Sequence, residues 1–194
     1  MREVLISIQP KWCELIANGK KTIEVRKTRP KIETPFKCYI YCTLSGSNES
    51  FKEDCGGDIA EWNRSKMALK KGKVIGEFVC RNIYFLDESA LFEGMDEISN
   101  SVIEEYSCLS IDELLAYKGN KQEIYGWSIS DLVIYKKPKE LSEFKPYCDK
   151  GCLDGKMCKH YEWVEWYGTD SCTRPRTIQR PPQSWCYVEK GGAE

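Results

Sequence analysis

The chain has 194 residues, enough for one well-buried core with insertions and too few to make two large domains the first expectation. Its 29 Lys+Arg against 30 Asp+Glu leave a net charge of -1, which excludes wholesale attraction to nucleic acid and leaves any such binding to a local patch. Eleven cysteines are a high and odd count, and no apolar run near the N-terminus is long enough for a signal peptide or a membrane span. Reduced thiols or metal ligands and a cytoplasmic address are therefore expected in preference to a disulfide framework.

Val4 to Ile8 is an apolar, β-branched run that predicts a first strand, broken at Gln9-Pro10. Pro10 suits the first turn of a helix, where its missing N–H is not needed. Trp12, Leu15 and Ile16 recur at helical spacing and Asn18-Gly19 supplies the stop. Lys21 to Lys27 predicts a second strand, ended at Arg29-Pro30. Phe36 to Thr43 predicts a third and Lys73 to Cys80 a fourth, extended through Ile83-Tyr84-Phe85, with an elaborated loop between them and a short helix near Ile59 to Met67. The acidic stretch from Asp87 to Glu105 carries two or three possible helical turns. Ser110-Ile111-Asp112-Glu113 is a capping-box pattern that starts a helix at Leu114-Leu115. Trp127 to Tyr135 returns to strand character, and Ser184 to Val188 is the last strand. Many short strands, few helices and no βα alternation predict a mainly β barrel or roll with flanking helices over a doubly wound sheet. Residues 146 to 182 differ in composition: cysteine-rich and aromatic first, then Arg/Pro-rich, an insertion before the last strand.

The chemistry-bearing run is Gly19-Lys20-Lys21-Thr22-Ile23-Glu24-Val25-Arg26. Strand alternation places Thr22, Glu24 and Arg26 on one face and Lys21, Ile23 and Val25 on the other, with Lys21 at the mouth beside the Gly19 turn. A carboxylate beside a guanidinium stays ionised, and the two offer acceptors and fixed donors to a base edge or a phosphate. Lys20, Lys21 and Lys27, continued by Arg29 and Lys31, add positive charge at the rim. On strand pattern alone, the same residues also fit a surface ion pair with a solvated basic edge.

This run resembles the Gly-x-Lys-x-x-Glu-x-Arg signature of the ASCH family, of the PUA-like superfamily. The later segments Gly72 to Phe78, Tyr125 to Ile129 and Pro181 to Trp185 are similar to that family's later strands. The resemblance covers residues 1 to 145 and 176 to 190, one barrel domain, with 146 to 175 as a Cys-rich insertion within it. It implies a PUA-like mixed β-barrel whose cleft, lined by Lys20, Lys21, Glu24, Arg26 and Lys27, binds RNA or a modified nucleoside. Some relatives deacylate acetylated cytidine with a lysine, a threonine and a glutamate, and others are credited with cleaving single-stranded RNA. Lys21 matches that lysine, while Glu24 stands where those hydrolases have the threonine, and a carboxylate does not replace a hydroxyl nucleophile. Binding therefore ranks first. Hydrolysis (amidohydrolase or ribonuclease, with Lys21 and Glu24 as the catalytic pair and Glu104 or Glu105 as a third group) ranks second, and a protein-interaction module third.

Six tryptophans invite base stacking. Trp127 and Trp185 lie in strand runs and are expected in the core, whereas Trp163 or Trp166, with Glu162 and Glu165 beside them, is the better stacking candidate. Cys148, Cys152, Cys158 and His160 gather three thiols and the only histidine within thirteen residues of a loop that has no apolar period of its own. A structural Zn2+ on these four, with Cys172 or Cys55 as substitutes, or free thiols in a loop are the two readings. No helical Glu-bearing hydrolase or deaminase motif accompanies them, so a catalytic metal is disfavoured, and no organic cofactor is expected. Cys13, Cys38, Cys42, Cys80, Cys108 and Cys186 sit in apolar elements and are expected in the core. Metal analysis of protein purified without chelator is expected to find about one zinc per chain; a metal-free, fully folded sample refutes the site.

Overall fold

The computed structural model describes residues 2–44, 70–86, 100–148, 161–164, 169–172 and 177–189. In chain order these form β1 (Arg2–Ile8), α1 (Pro10–Ala17), β2 (Ile23–Arg26), β3 (Phe36–Cys42), β4 (Lys73–Cys80) and β5 (Ile83–Leu86). Then follow α2 (Asn100–Ser107), α3 (Ile111–Lys118), β6 (Ile124–Ser128), β7 (Ser130–Lys139), β8 (Tyr161–Val164), β9 (Thr169–Cys172) and β10 (Trp185–Glu189). The architecture is mainly β. One sheet has the order β10-β1-β3-β4-β7, a second β2-β6-β5, and β8-β9 is a separate hairpin. β1 and β3 run parallel, Ile6 opposite Ile40, with α1 and β2 in the connection between them.

Why β1 and β3 are apolar on both faces follows from the three cores. Val4, Ile6 and Ile8 of β1 meet Cys38, Ile40 and Cys42 of β3, Ile75 and Phe78 of β4, Cys13 and Ile16 of α1, and Trp127 in the barrel interior. The opposite faces, Leu5, Tyr39 and Val74, are covered by Leu141, Phe144 and Ile178. Ile23 and Val25 point away from the interior, into a third core with Ile103 and Leu114 of the two later helices. Strands buried on both sides read as continuous apolar runs, which is why periodicity alone gives no facing.

Two predicted strands are each divided between the sheets. The expected extension of the fourth strand is β5, which leaves the five-stranded sheet at Arg81-Asn82 to join β6. The expected strand from Trp127 to Tyr135 breaks after Ser128, with Asp131 at φ 49. Both corners meet at Ser128, whose hydroxyl oxygen accepts the Arg81 and Asn82 N–H groups at 3.1 and 2.9 Å while its own N–H donates to Asn82 O at 3.0 Å. Corners of this kind close a barrel, and no residue-type pattern announces them. The capping box at Ser110 forms as expected, Ser110 Oγ accepting from Glu113 N and a Glu113 carboxylate oxygen from Ser110 N. Residues 161–164 and 169–172 form a hairpin inside the stretch expected to lack strands. The expected helix near residues 59 to 67 lies outside the described residues. Among the described residues, no helix is long and apolar enough to cross a membrane.

Gly76 in β4 is held by close approach: a Cβ there would lie 2.4 Å from the Val133 carbonyl oxygen of β7. Backbone cannot give way as a side chain tip does, so Gly76→Ala is expected to lower stability by about 1–3 kcal/mol, read as a lower urea midpoint.

Candidate functional site

The turn after α1 aims the site. Gly19 takes φ +72, and the Lys20 and Lys21 N–H groups both donate to Leu15 O at 3.0 and 3.1 Å. Thr22 N then donates to Tyr106 O at 2.9 Å, so strand pairing begins only at Ile23. Lys21 therefore does not follow strand alternation. It was expected at the mouth, on the face of Ile23 and Val25; instead it is 2% exposed, and its ammonium turns to the face of Glu24.

Lys21, Glu24 and Arg26 form one buried cluster. Lys21 Nζ lies 3.6 Å from Glu24 Oε2 and Arg26 Nη2 2.9 Å from Glu24 Oε1. Lys21 Nζ donates to Ser107 O, the last residue of α2, at 2.6 Å, where a cation complements the helix C-terminus. It also sits 4.9 Å from the centre of the Trp12 ring. Arg26 Nη2 reaches across the barrel to Ser7 O of β1 at 2.6 Å. Arg26 Nε is buried and has no hydrogen-bond partner among the described residues. Burial pushes the Lys21 pKa down from the ordinary lysine value, and the nearby Glu24 carboxylate opposes that shift.

The cluster lines a cavity of about 330 Å³, together with Ser7, Gln9, Trp12, Thr43, Tyr117 and Gln183. Gln9, Tyr117 and Gln183 are exposed at its edge, while the three charged residues are buried within. Gln183 belongs to the Pro181-Pro182-Gln183-Ser184 connector. That connector is pinned to β1 by Ser7 Oγ donating to Pro182 O at 2.6 Å and Ser7 N to Ser184 O at 2.9 Å.

The ASCH domain model matches residues 6–165. The chain belongs to the ASCH family. Two crystal structures of ASCH from Zymomonas mobilis share its fold: a serine-to-alanine variant with TM-score 0.55 and the unaltered protein with TM-score 0.51. Each is 17% identical to this chain, over 98% of it and 90% of its own length. No curated protein matches the sequence.

In this ASCH protein Lys20 and Lys27, expected at the rim, are both exposed. Glu104 is turned to another task, accepting from Ile111 N at 2.8 Å at the start of α3, and Glu105 is exposed; neither lines the cavity. Thr22 is likewise not part of the lining. Trp127 is fully buried and packs edge-on against Phe36 at 5.8 Å, whereas Trp185 is half-buried and donates to Thr28 Oγ1 at 3.0 Å. Of the two aromatic groups of the cavity, Tyr117 escaped the sequence reading and Trp12 was not singled out among the six tryptophans. Trp12 was counted toward a helix face, and nothing near Tyr117 signals that α3 ends over the cleft. The side chain of Trp163 and all of Trp166 lie outside the described residues. So do Cys55, Cys152, Cys158, His160 and the Cys172 side chain; Cys148 is a half-buried free thiol. Among the described residues no group of three or more metal-ligating side chains comes together. Cys13, Cys38, Cys42 and Cys80 are buried, Cys108 and Cys186 half-buried.

Removing the carboxylate leaves two buried cations without their counter-ion. Glu24→Gln is expected to destabilise the fold by about 3 kcal/mol or more and to shift the Lys21 titration lower still, since Glu24 is what holds it up. The Lys21 side-chain NMR signal followed against pH reads the second effect; an unchanged midpoint contradicts the coupling.

Proposed function

We propose that the cavity over Lys21, Glu24 and Arg26 binds a single base or nucleoside, free or as part of RNA, the class of ligand generally associated with ASCH domains. The observation that carries the reading is a buried cluster of opposite charges, Lys21, Glu24 and Arg26, on the wall of one cavity that Trp12 and Tyr117 also line. Adjacent donor and acceptor groups complement a base edge, and the volume of about 330 Å³ suits a nucleoside. Trp12 and Tyr117 supply aromatic surface for the ring, Gln9 and Gln183 amide groups at the opening. Lys21 and Arg26 handle carbonyl or phosphate oxygens, with Lys20 and Lys27 at the rim.

A second reading, hydrolysis, is favoured by one observation: the lowered pKa of Lys21 enlarges its neutral, nucleophilic fraction beside a carboxylate. Its substrate would be the amide of an acylated cytidine-type nucleoside, or single-stranded RNA. It ranks second because Glu24 occupies the hydroxyl position of the deacylating relatives. The reading keeps a cytoplasmic protein whose residues 146–175 are an insertion stabilised by one structural Zn2+ on Cys148, Cys152, Cys158 and His160, supported by their clustering in sequence.

Calorimetric titration with cytidine, acetylcytidine and a short single-stranded RNA is expected to give binding that Arg26→Lys weakens about ten-fold or more, because lysine does not reproduce the planar fork. Absence of binding to all three refutes the cleft, and a captured protein partner would then favour an interaction module. Release of acetate from acetylcytidine, lost on Lys21→Ala, puts hydrolysis first.

A further inference from the structure

We propose that Arg29, Phe85 and Tyr125 form a second subsite outside the cavity, a stacking platform for the base of the nucleotide next to the one held in the cavity. This rests on the cavity binding a base, and adds the direction in which the strand leaves it.

Cross-strand pairing sets Arg26 opposite Tyr125 and Tyr125 opposite Phe85. Directly opposed residues share a face, so one row runs from the cavity wall across β6 to β5, the edge strand of its sheet. Phe85 is 53% exposed and meets the Tyr125 ring edge-on at 5.5 Å. The Arg29 guanidinium lies 5.1 Å from the centre of Phe85 and 6.0 Å from that of Tyr125, a cation–π stack in water. Lys27, two residues earlier, places its ammonium 5.0 Å from the centre of the Tyr117 ring, which itself lines the cavity. Both cations are exposed, and among the described residues neither forms a salt bridge.

Cations and exposed ring faces thus continue outward from the wall of the cavity. Phosphates pair with the first and unpaired bases stack on the second, the two contacts that single strands offer and a duplex, with its bases already stacked, does not. The Glu123 carboxylate accepts from Tyr125 Oη at the platform, and Lys27 and Arg29 together outweigh it; with a net charge of -1 for the chain, this local positive balance fits a polyanion better than an apolar protein surface.

The test is fluorescence anisotropy at low salt with the full chain and a labelled, mixed-sequence single-stranded RNA of about ten nucleotides. Phe85→Ala and Arg29→Ala, both at exposed positions, are each expected to weaken binding roughly 5- to 100-fold with unchanged circular dichroism. Phe85→Trp, which keeps a ring, is expected to bind as the unaltered protein does. Arg29→Lys is expected to keep the salt dependence and lose affinity, because the charge stays and the planar face goes. RNA binding weakened by Arg26→Lys but untouched by Phe85→Ala and Arg29→Ala overturns the platform and leaves the cavity reading standing. Full affinity in Arg29→Lys removes the stacking role, equal affinity for the duplex of the same sequence removes the single-strand preference, and failure of the unaltered protein to bind RNA overturns platform and RNA-binding cavity together.

Discussion

One carboxylate, Glu24, holds two buried cations in place, and much of the molecule is arranged around that charge balance. Arg26 spans from β2 to the backbone of β1, and Lys21 ties the loop before β2 to the end of α2. An isolated charge in so dry a place costs several kcal/mol, so each member of the cluster is tolerable only with the others present. The same three contacts therefore join the two sheets and the helical layer and create a polar wall in an otherwise apolar interior.

The residues that fasten the sheets together are also those of the candidate site. The cluster lies along a cavity that opens between Gln9, Tyr117 and Gln183. Lys21 is likewise poised: packing and a helix-end carbonyl hold its ammonium in place, while burial makes the charged form less favourable than in water. The candidate site thus sets side chains held in place by backbone acceptors beside an open cavity.

Local signals read well from the sequence. Pro10, Gly19 and the Ser110–Glu113 capping box mark element ends because they satisfy backbone needs within a few residues. The spacing of Glu24 and Arg26 placed both on one face of a strand, and they are there. Lys21 was misread because the turn, anchored by Leu15 O and Tyr106 O, sets its direction, and Tyr106 is far away along the chain. Glu104 looked available as a third acidic group, yet it caps α3.

Most of the strand and helix order and the mainly β class followed from residue types and spacing, since propensity, caps and alternation act over a few neighbours, and the resemblance to the ASCH signature singled out the charged trio. Which sheet each strand enters, how deeply the trio is buried, and that Trp12, Tyr117 and Gln183 surround one cavity were decided only by folding. Those outcomes depend on contacts between segments as distant as Ser7 and Ser184 or Lys21 and Ser107, and no local pattern carries the free energy of closing a barrel.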